Sequence, residues 1–348
     1  MLEEFRRQAQ AADSQAVWPS ASWELARKAE VPAWSIPTAF GGKGLSGPEL
    51  LESYESLASA CLTTCFILSQ RDAAVRRIVD SGNDELAQEL LPPLARGETF
   101  ATVGLSQLTT SRQHGRPVLT ARLEGDDVLL DGVMPWVTGA SAANHFITGA
   151  VLEDGRQILT ALPGELPGLK IGSAMELMAL EGSMTAEVRC EAVRFPRRWI
   201  LAGPAERVMA GGRGGTGGLE TSCLALGLAR AAIDYLREES SARPELSENA
   251  SRLEHAFRML KEEMHHLAQT GSTPEAAASL RGRANTLVLR ATQIALTAAK
   301  GIGFLRQHPA QRWARQALFF LVWSCPRQAA EATLEYLAPP VGIECPLV

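Results

Sequence analysis

No stretch of this 348-residue chain is apolar enough to cross a membrane: the longest such run, ALFFLVW at residues 317–323, falls well short of the ~18 or more that a span requires. The opening MLEEFRRQAQAADSQ lacks the apolar core of a secretory signal, so a cytoplasmic protein is expected. A surplus of one charge is missing too. The 34 basic and 39 acidic residues are spread along the chain to give a net charge of −5, with no basic stripe to track a phosphate backbone, which argues against nucleic acid as a partner. The six cysteines (Cys61, Cys65, Cys190, Cys223, Cys325, Cys345) do not make a disulfide framework in a chain of this length. Cys61 and Cys65 stand one helical turn apart with no histidine nearby in sequence, and so read as small buried apolar residues rather than as a metal or redox pair. No G-x-S-x-G elbow occurs, and no serine or cysteine lies in a nucleophile's context. His114, His145 and His308 are isolated and read as structural or surface groups. Local motifs alone assign no reaction.

What is present is an ordinary globular composition, 46% hydrophobic and 21% charged, with length for two or three packed units. From residue 3 to about 96, apolar residues recur at spacings of three and four, as in PELLESYESLASACLTTCFILSQ, which predicts helices. Ser46 and Glu49 have the spacing of a capping box, with Pro48 in the first turn. After Gly97 the texture changes to short runs rich in Val, Ile, Leu and Thr with turns at EGDD and EDGR, the pattern of antiparallel hairpins, for which a sandwich or barrel is the expected form. The glycine-rich residues 209–221 then read either as a linker or as a nest of N–H groups for a phosphate. Four further helical segments imply an antiparallel bundle. The expected fold is therefore α+β and multi-domain: a helical domain over 1–98, a central antiparallel β-sandwich or barrel over 99–203, and a four-helix bundle over 204–348.

Two constellations invite a chemical reading. KEEMHH offers Glu262-x-x-His265 and Glu263-x-x-His266, the spacing used in di-iron bundles, but both copies overlap on one helix and no other bundle helix supplies a second, so a solvated charged face is the better reading and no metal is expected. PWVTGASAANHF, residues 135–146, places an indole and a hydroxyl two positions apart at the end of a strand, where Trp136 and Thr138 should share a face.

The segments PTAFGGKGLSGPELLESYESLA, VLTARLEGDDVLLDGVMPWVTGASAANHF, TAEVRCEAVRFPRRWIL, ALGLARAAIDYL and KGIGFLRQHPAQRWARQALFF, in this helix, sheet, helix order, resemble the acyl-CoA dehydrogenase family over nearly the whole chain. The resemblance implies FAD as cofactor, an acyl thioester as substrate, α,β-dehydrogenation with hydride passing to flavin N5, and a homodimer or homotetramer, with the electron acceptor left open. It places Trp136 and Thr138 against the flavin. Ser106 keeps the hydroxyl of the family's Thr-Glu-Pro segment, in which Gln107 and Leu108 replace Glu and Pro, and Ser111 falls near the pyrophosphate. Arg243 corresponds to the arginine that reaches the cofactor across a subunit interface, without the Phe-Gly that follows it. Gly301 and Gly303 keep two positions of the Gly-Gly-x-Gly turn, Lys300 replacing its first glycine. Where the family commonly carries its basic glutamate, this chain has Ser324, Cys325 and Pro326, and a serine cannot serve as general base unless something deprotonates it. Some members take the glutamate from the start of the first bundle helix; that position falls near Gly217, and Glu220 lies about one turn further on. Glu220 is thus the candidate base. The loss of the usual glutamate also leaves open a flavin-dependent monooxygenase, or a non-catalytic binding or assembly protein of the same fold.

Overall fold

The structure, a computed structural model, describes residues 1–109, 118–209 and 218–323, together with 330, 331, 333, 334, 337 and 338. Five helices come first: α1 (Leu2–Ser14), α2 (Ser20–Lys28), α3 (Gly47–Ala60), α4 (Leu62–Asp80) and α5 (Asp84–Ala95). Helix α3 presents Leu50, Leu51, Tyr54, Leu57 and Ala58 to the interior, as the helical spacing predicts. Ser46 is its N-cap, but the capping box is not formed. Gly47, the first helical residue, has a φ of +51°, and this left-handed start takes the first turn away from the Ser46 hydroxyl, which makes no cap bond.

Helix α4 is buried almost all round, from Leu62 to Ile78, the signature of a helix inside the molecule rather than on its surface. Its first half, with Leu62, Cys65, Phe66 and Leu68, joins the core shared by the helices. Its second half, with Ala74, Val75 and Ile78, joins the core under the sheet. The helix thereby couples the two cores, lying against both the first strand and the first bundle helix.

The strands are β1 (Ala101–Gly104), β2 (Leu119–Glu124), β3 (Asp127–Val137), β4 (His145–Leu152), β5 (Gln157–Pro163), β6 (Leu169–Ala174), β7 (Ala186–Pro196) and β8 (Ile200–Ala205), with the single turn α6 (Ser106–Thr109) after β1. They form one sheet in the order β6-β7-β3-β2-β4-β5-β8, with β1 added beside β4. Most pairs are antiparallel, as the hairpin texture predicts, but β1 and β2 both run parallel to β4, so the sheet is mixed. Parallel neighbours are joined through longer connections, and a reading built from consecutive hairpins does not see them. Strand β3 bulges at Gly132, where a Cβ would lie 2.1 Å from the Val118 carbonyl oxygen, and again between Met134 and Val137 against β7.

The C-terminal helices are α7 (Leu219–Ser240), α8 (Ser247–Thr270), α9 (Pro274–Ala299) and α10 (Pro309–Phe319). Helix α7 packs on α8, α9 and α3. Its approach to α3 is close enough that a Cβ at Gly227 would meet the Glu55 carbonyl oxygen at 2.6 Å. Asp13 of α1, fully buried, ties the domains together by accepting from the Leu180 N–H, Arg315 Nη2 and Gln316 Nε2 at 2.7–2.9 Å.

Cys61, Cys65, Cys190 and Cys223 are buried free thiols, and desolvation raises the pKa of each, so they pack as apolar residues. His145 stacks on Trp199, and burial lowers its pKa. His308 is the N-cap of α10, its Nδ1 accepting from the Ala310 N–H at 3.2 Å. In α8 Glu263 is engaged by both Nη atoms of Arg283, and among the described residues no group of three His, Cys, Asp or Glu is placed to hold a metal. No helix among the described residues is long and apolar enough to cross a membrane.

Candidate functional site

Two of the expected residues lie at the end of β3. Trp136 is 54% exposed, an unusual position for the largest apolar side chain, whereas Thr138 is only 6% exposed. The shared-face expectation is corrected here: the second bulge of β3 and the end of the strand at Val137 lie between ideal pleat and Thr138, so indole and hydroxyl differ in environment. The Thr138 hydroxyl stands 3.3 Å from that of Thr185, which is 2.9 Å from the Ser183 hydroxyl. The Thr138 carbonyl accepts from the Thr102 hydroxyl of β1 at 2.8 Å.

Ser106 opens α6 immediately beyond β1, and Gln107 is buried beside it. The Gln107 amide nitrogen donates to the carbonyls of Gly104 and Gly149 and reaches the Thr148 hydroxyl, at 2.9–3.2 Å, which fixes the side chain. Its Oε1 is buried with no hydrogen-bond partner. A buried acceptor left open is costly, and exceptions to full pairing are commonly explained by a bound water, ion or ligand. Ser111 lies outside the described residues, as do His114, the glycine-rich residues 210–217 and Ser324, Cys325 and Pro326.

Glu220 lies in the first turn of α7, where the helix dipole favours a carboxylate. Its Oε1 accepts from Arg76 Nη1 of α4 at 2.9 Å, and both side chains are about one quarter exposed. A buried polar group adjoins this pair. The Tyr54 hydroxyl of α3 donates to Asp72 Oδ2, Arg71 Nη1 pairs with Asp72 Oδ1, and Arg71 Nη2 donates to the Leu94 carbonyl at 2.7 Å. Burial, then the neighbouring Asp72 charge, raises the Tyr54 pKa well above its ordinary value and keeps the phenol a donor. Sequence reasoning missed this cluster. Its signal is QRDAAVRR, charged residues set inside a helix that is otherwise apolar on every side.

The third region is the end of α9. Arg243 donates from Nη1 to the Ala298 carbonyl at 2.6 Å and pairs through Nη2 with Glu239, so it is brought beside the KGIGF turn containing Gly301 and Gly303. Both Nη atoms of Arg243 are thereby engaged within the chain. Lys300 has φ +54° and ψ −150°, a region that essentially only glycine occupies. This position favours the glycine that Lys300 replaces. Lys300→Gly is expected to raise stability by about 1 kcal/mol, read from the denaturant midpoint; an unchanged or lower midpoint contradicts the strain.

These regions fit a flavin unevenly. The uncovered indole, the buried threonines beside it and the open Gln107 oxygen suit a ring that is flat and apolar but carries an N–H on its edge. At the segment that the resemblance implies for the phosphates, the 300–304 turn is present, while Arg243 is already partnered within the chain.

The family model for the acyl-CoA dehydrogenase N-terminal domain matches residues 1–98. A probable acyl-CoA dehydrogenase of Bacillus subtilis is 27% identical over 308 residues, which is 81% of this chain and 80% of that protein. The structure of butyryl-CoA dehydrogenase from Megasphaera elsdenii superposes with a TM-score of 0.84 at 19% identity, covering 97% of this chain and 96% of that one. A glutaryl-CoA dehydrogenase from Mycobacterium smegmatis, solved with FADH2, gives a TM-score of 0.80 at 18% identity, with 99% and 91% covered. At these identities the structural matches establish the fold.

Proposed function

Because the chain belongs to the acyl-CoA dehydrogenase family, we propose that it is an FAD-dependent oxidoreductase that dehydrogenates an acyl thioester between its α and β carbons. The observation that carries this reading is a carboxylate, Glu220, standing in the first turn of α7 and held by Arg76. It supplies a general base in a chain that has Ser324, Cys325 and Pro326 where the family's usual base is expected. Bound FAD supplies the two-electron acceptor. Trp136 offers the ring an apolar wall, and Thr138, Ser106 and Gln107 offer polar groups at its edge; Gly301, Gly303 and Arg243 belong to the phosphate side. Arg76 orients Glu220, whose carboxylate is the group that takes the α-proton.

The reading is tested by incubating the FAD-loaded protein with a saturated acyl-CoA and an artificial electron acceptor. Formation of the α,β-unsaturated thioester is expected. An oxygenated product formed only with oxygen and a reductant would favour the monooxygenase alternative instead. Trp136→Ala is expected to weaken flavin retention by about 1.5–3 kcal/mol, roughly 10- to 100-fold, because the wall is lost. Full flavin occupancy after gel filtration of that variant would remove the indole from the cofactor site. A cytoplasmic homodimer or homotetramer is the corresponding assembly, readable by light scattering.

A further inference from the structure

The Arg76 side chain is only half used. Its Nη1 is committed to Glu220 at 2.9 Å, while its Nε is buried and has no hydrogen-bond partner. Nε–H and the outer Nη2–H form the parallel fork of a guanidinium, the edge that matches the two oxygens of a carboxylate. The side chain as a whole is 24% exposed, while its Nε is sealed from solvent. Leaving a guanidinium N–H buried and unpaired is unfavourable, and no described side chain compensates it.

Resting on the reading of Glu220 as base, we propose that Arg76 is a specificity-determining residue whose unpaired edge receives a second carboxylate, carried by the acyl group of the substrate. The thioester would then be that of a dicarboxylic acid. The charges around the site agree with such a ligand. Arg71 balances Asp72, Arg76 balances Glu220, and Arg77 lies next to Arg76 with Asp80 close by. An incoming carboxylate adds one negative charge, which the Arg76 guanidinium then shares with Glu220. The step balances: the α C–H bond breaks with its proton passing to Glu220 and its electron pair forming the α,β double bond, the β C–H bond breaks with its pair leaving as hydride, which bound FAD would accept, and the substrate carboxylate remains an anion on Arg76. A purely aliphatic acyl chain would leave the Nε donor unpaired and gain nothing from the fork.

The test is binding, measured by calorimetry on the FAD-loaded protein with matched thioesters: butyryl-CoA against succinyl-CoA, and pentanoyl-CoA against glutaryl-CoA. At least one ω-carboxylated member is expected to bind about 10- to 100-fold more tightly than its partner, the range of a charge-assisted bidentate contact. Arg76→Gln is expected to equalise the pair, and Arg76→Lys, which keeps the charge without the fork, to retain only part of the preference. Glu220→Gln leaves the fork intact and is expected to keep the preference. If Glu220→Gln still reduces flavin while Arg76→Gln loses discrimination, the base assignment fails and the carboxylate site stands. Absence of any preference in the unmodified protein, or a preference that survives Arg76→Gln, overturns the proposal.

Discussion

Replacing Glu220 by glutamine is expected to leave FAD bound and to slow its reduction by an acyl thioester by about 10²- to 10⁴-fold, the usual contribution of a positioned general base. Glutamine has nearly the shape of glutamate, and its amide oxygen can still accept from Arg76 Nη1, so the contact between α7 and α4 persists. What disappears is the capacity to take a proton. Flavin content reports whether the site has survived, and the single-turnover rate reports the chemistry. Unchanged reduction with full flavin content would mean that the proton goes elsewhere. Because Glu220 lies about one helical turn beyond the position resembling that of other members, the comparison also tests whether a base can move along a helix and keep its task.

The second large effect concerns stability. Asp72 is fully buried, and it receives both Arg71 and the Tyr54 hydroxyl. Asp72→Ala is expected to cost about 3–5 kcal/mol, because an uncompensated guanidinium then lies inside the protein with a phenol that has lost its acceptor. Arg71→Met combined with Asp72→Leu removes both charges and is expected to cost much less than the single change. Denaturant unfolding of the three variants decides the matter. A single-variant loss below about 1 kcal/mol would show that Arg71 is satisfied by the Leu94 carbonyl alone.

The helical domain and the bundle were legible because amphipathic periodicity is local: the spacing in PELLESYESLASA is enough to predict α3 and the face it buries. The sheet was legible as strands but not as pairings. Nothing near β1 in sequence indicates that it lies parallel to β4, since that register is set by the path of the chain between them. Trp136 was legible as an indole at the end of a strand, but the bulge that separates it from Thr138 comes from a register irregularity with β7 that a single strand does not display. The capping box failed for a similar reason, Gly47 having a backbone freedom that residue spacing does not encode. The partners of Glu220 were the least legible. Arg76 lies 144 residues away in the chain, and Tyr54 and Asp72 reach one another only because α3 and α4 pack together inside the molecule.

The central claim is that this chain removes two electrons from an acyl thioester and passes them to a flavin. It is tested most directly by the visible absorption spectrum of the FAD-loaded protein, recorded before and after anaerobic addition of saturated acyl-CoAs that include dicarboxylic ones. Bleaching of the flavin band, and its return on admitting an oxidant, is the predicted result. A band that persists at full occupancy with every thioester would contradict dehydrogenation, and failure to take up FAD at all would contradict the flavin site built on Trp136 and Thr138.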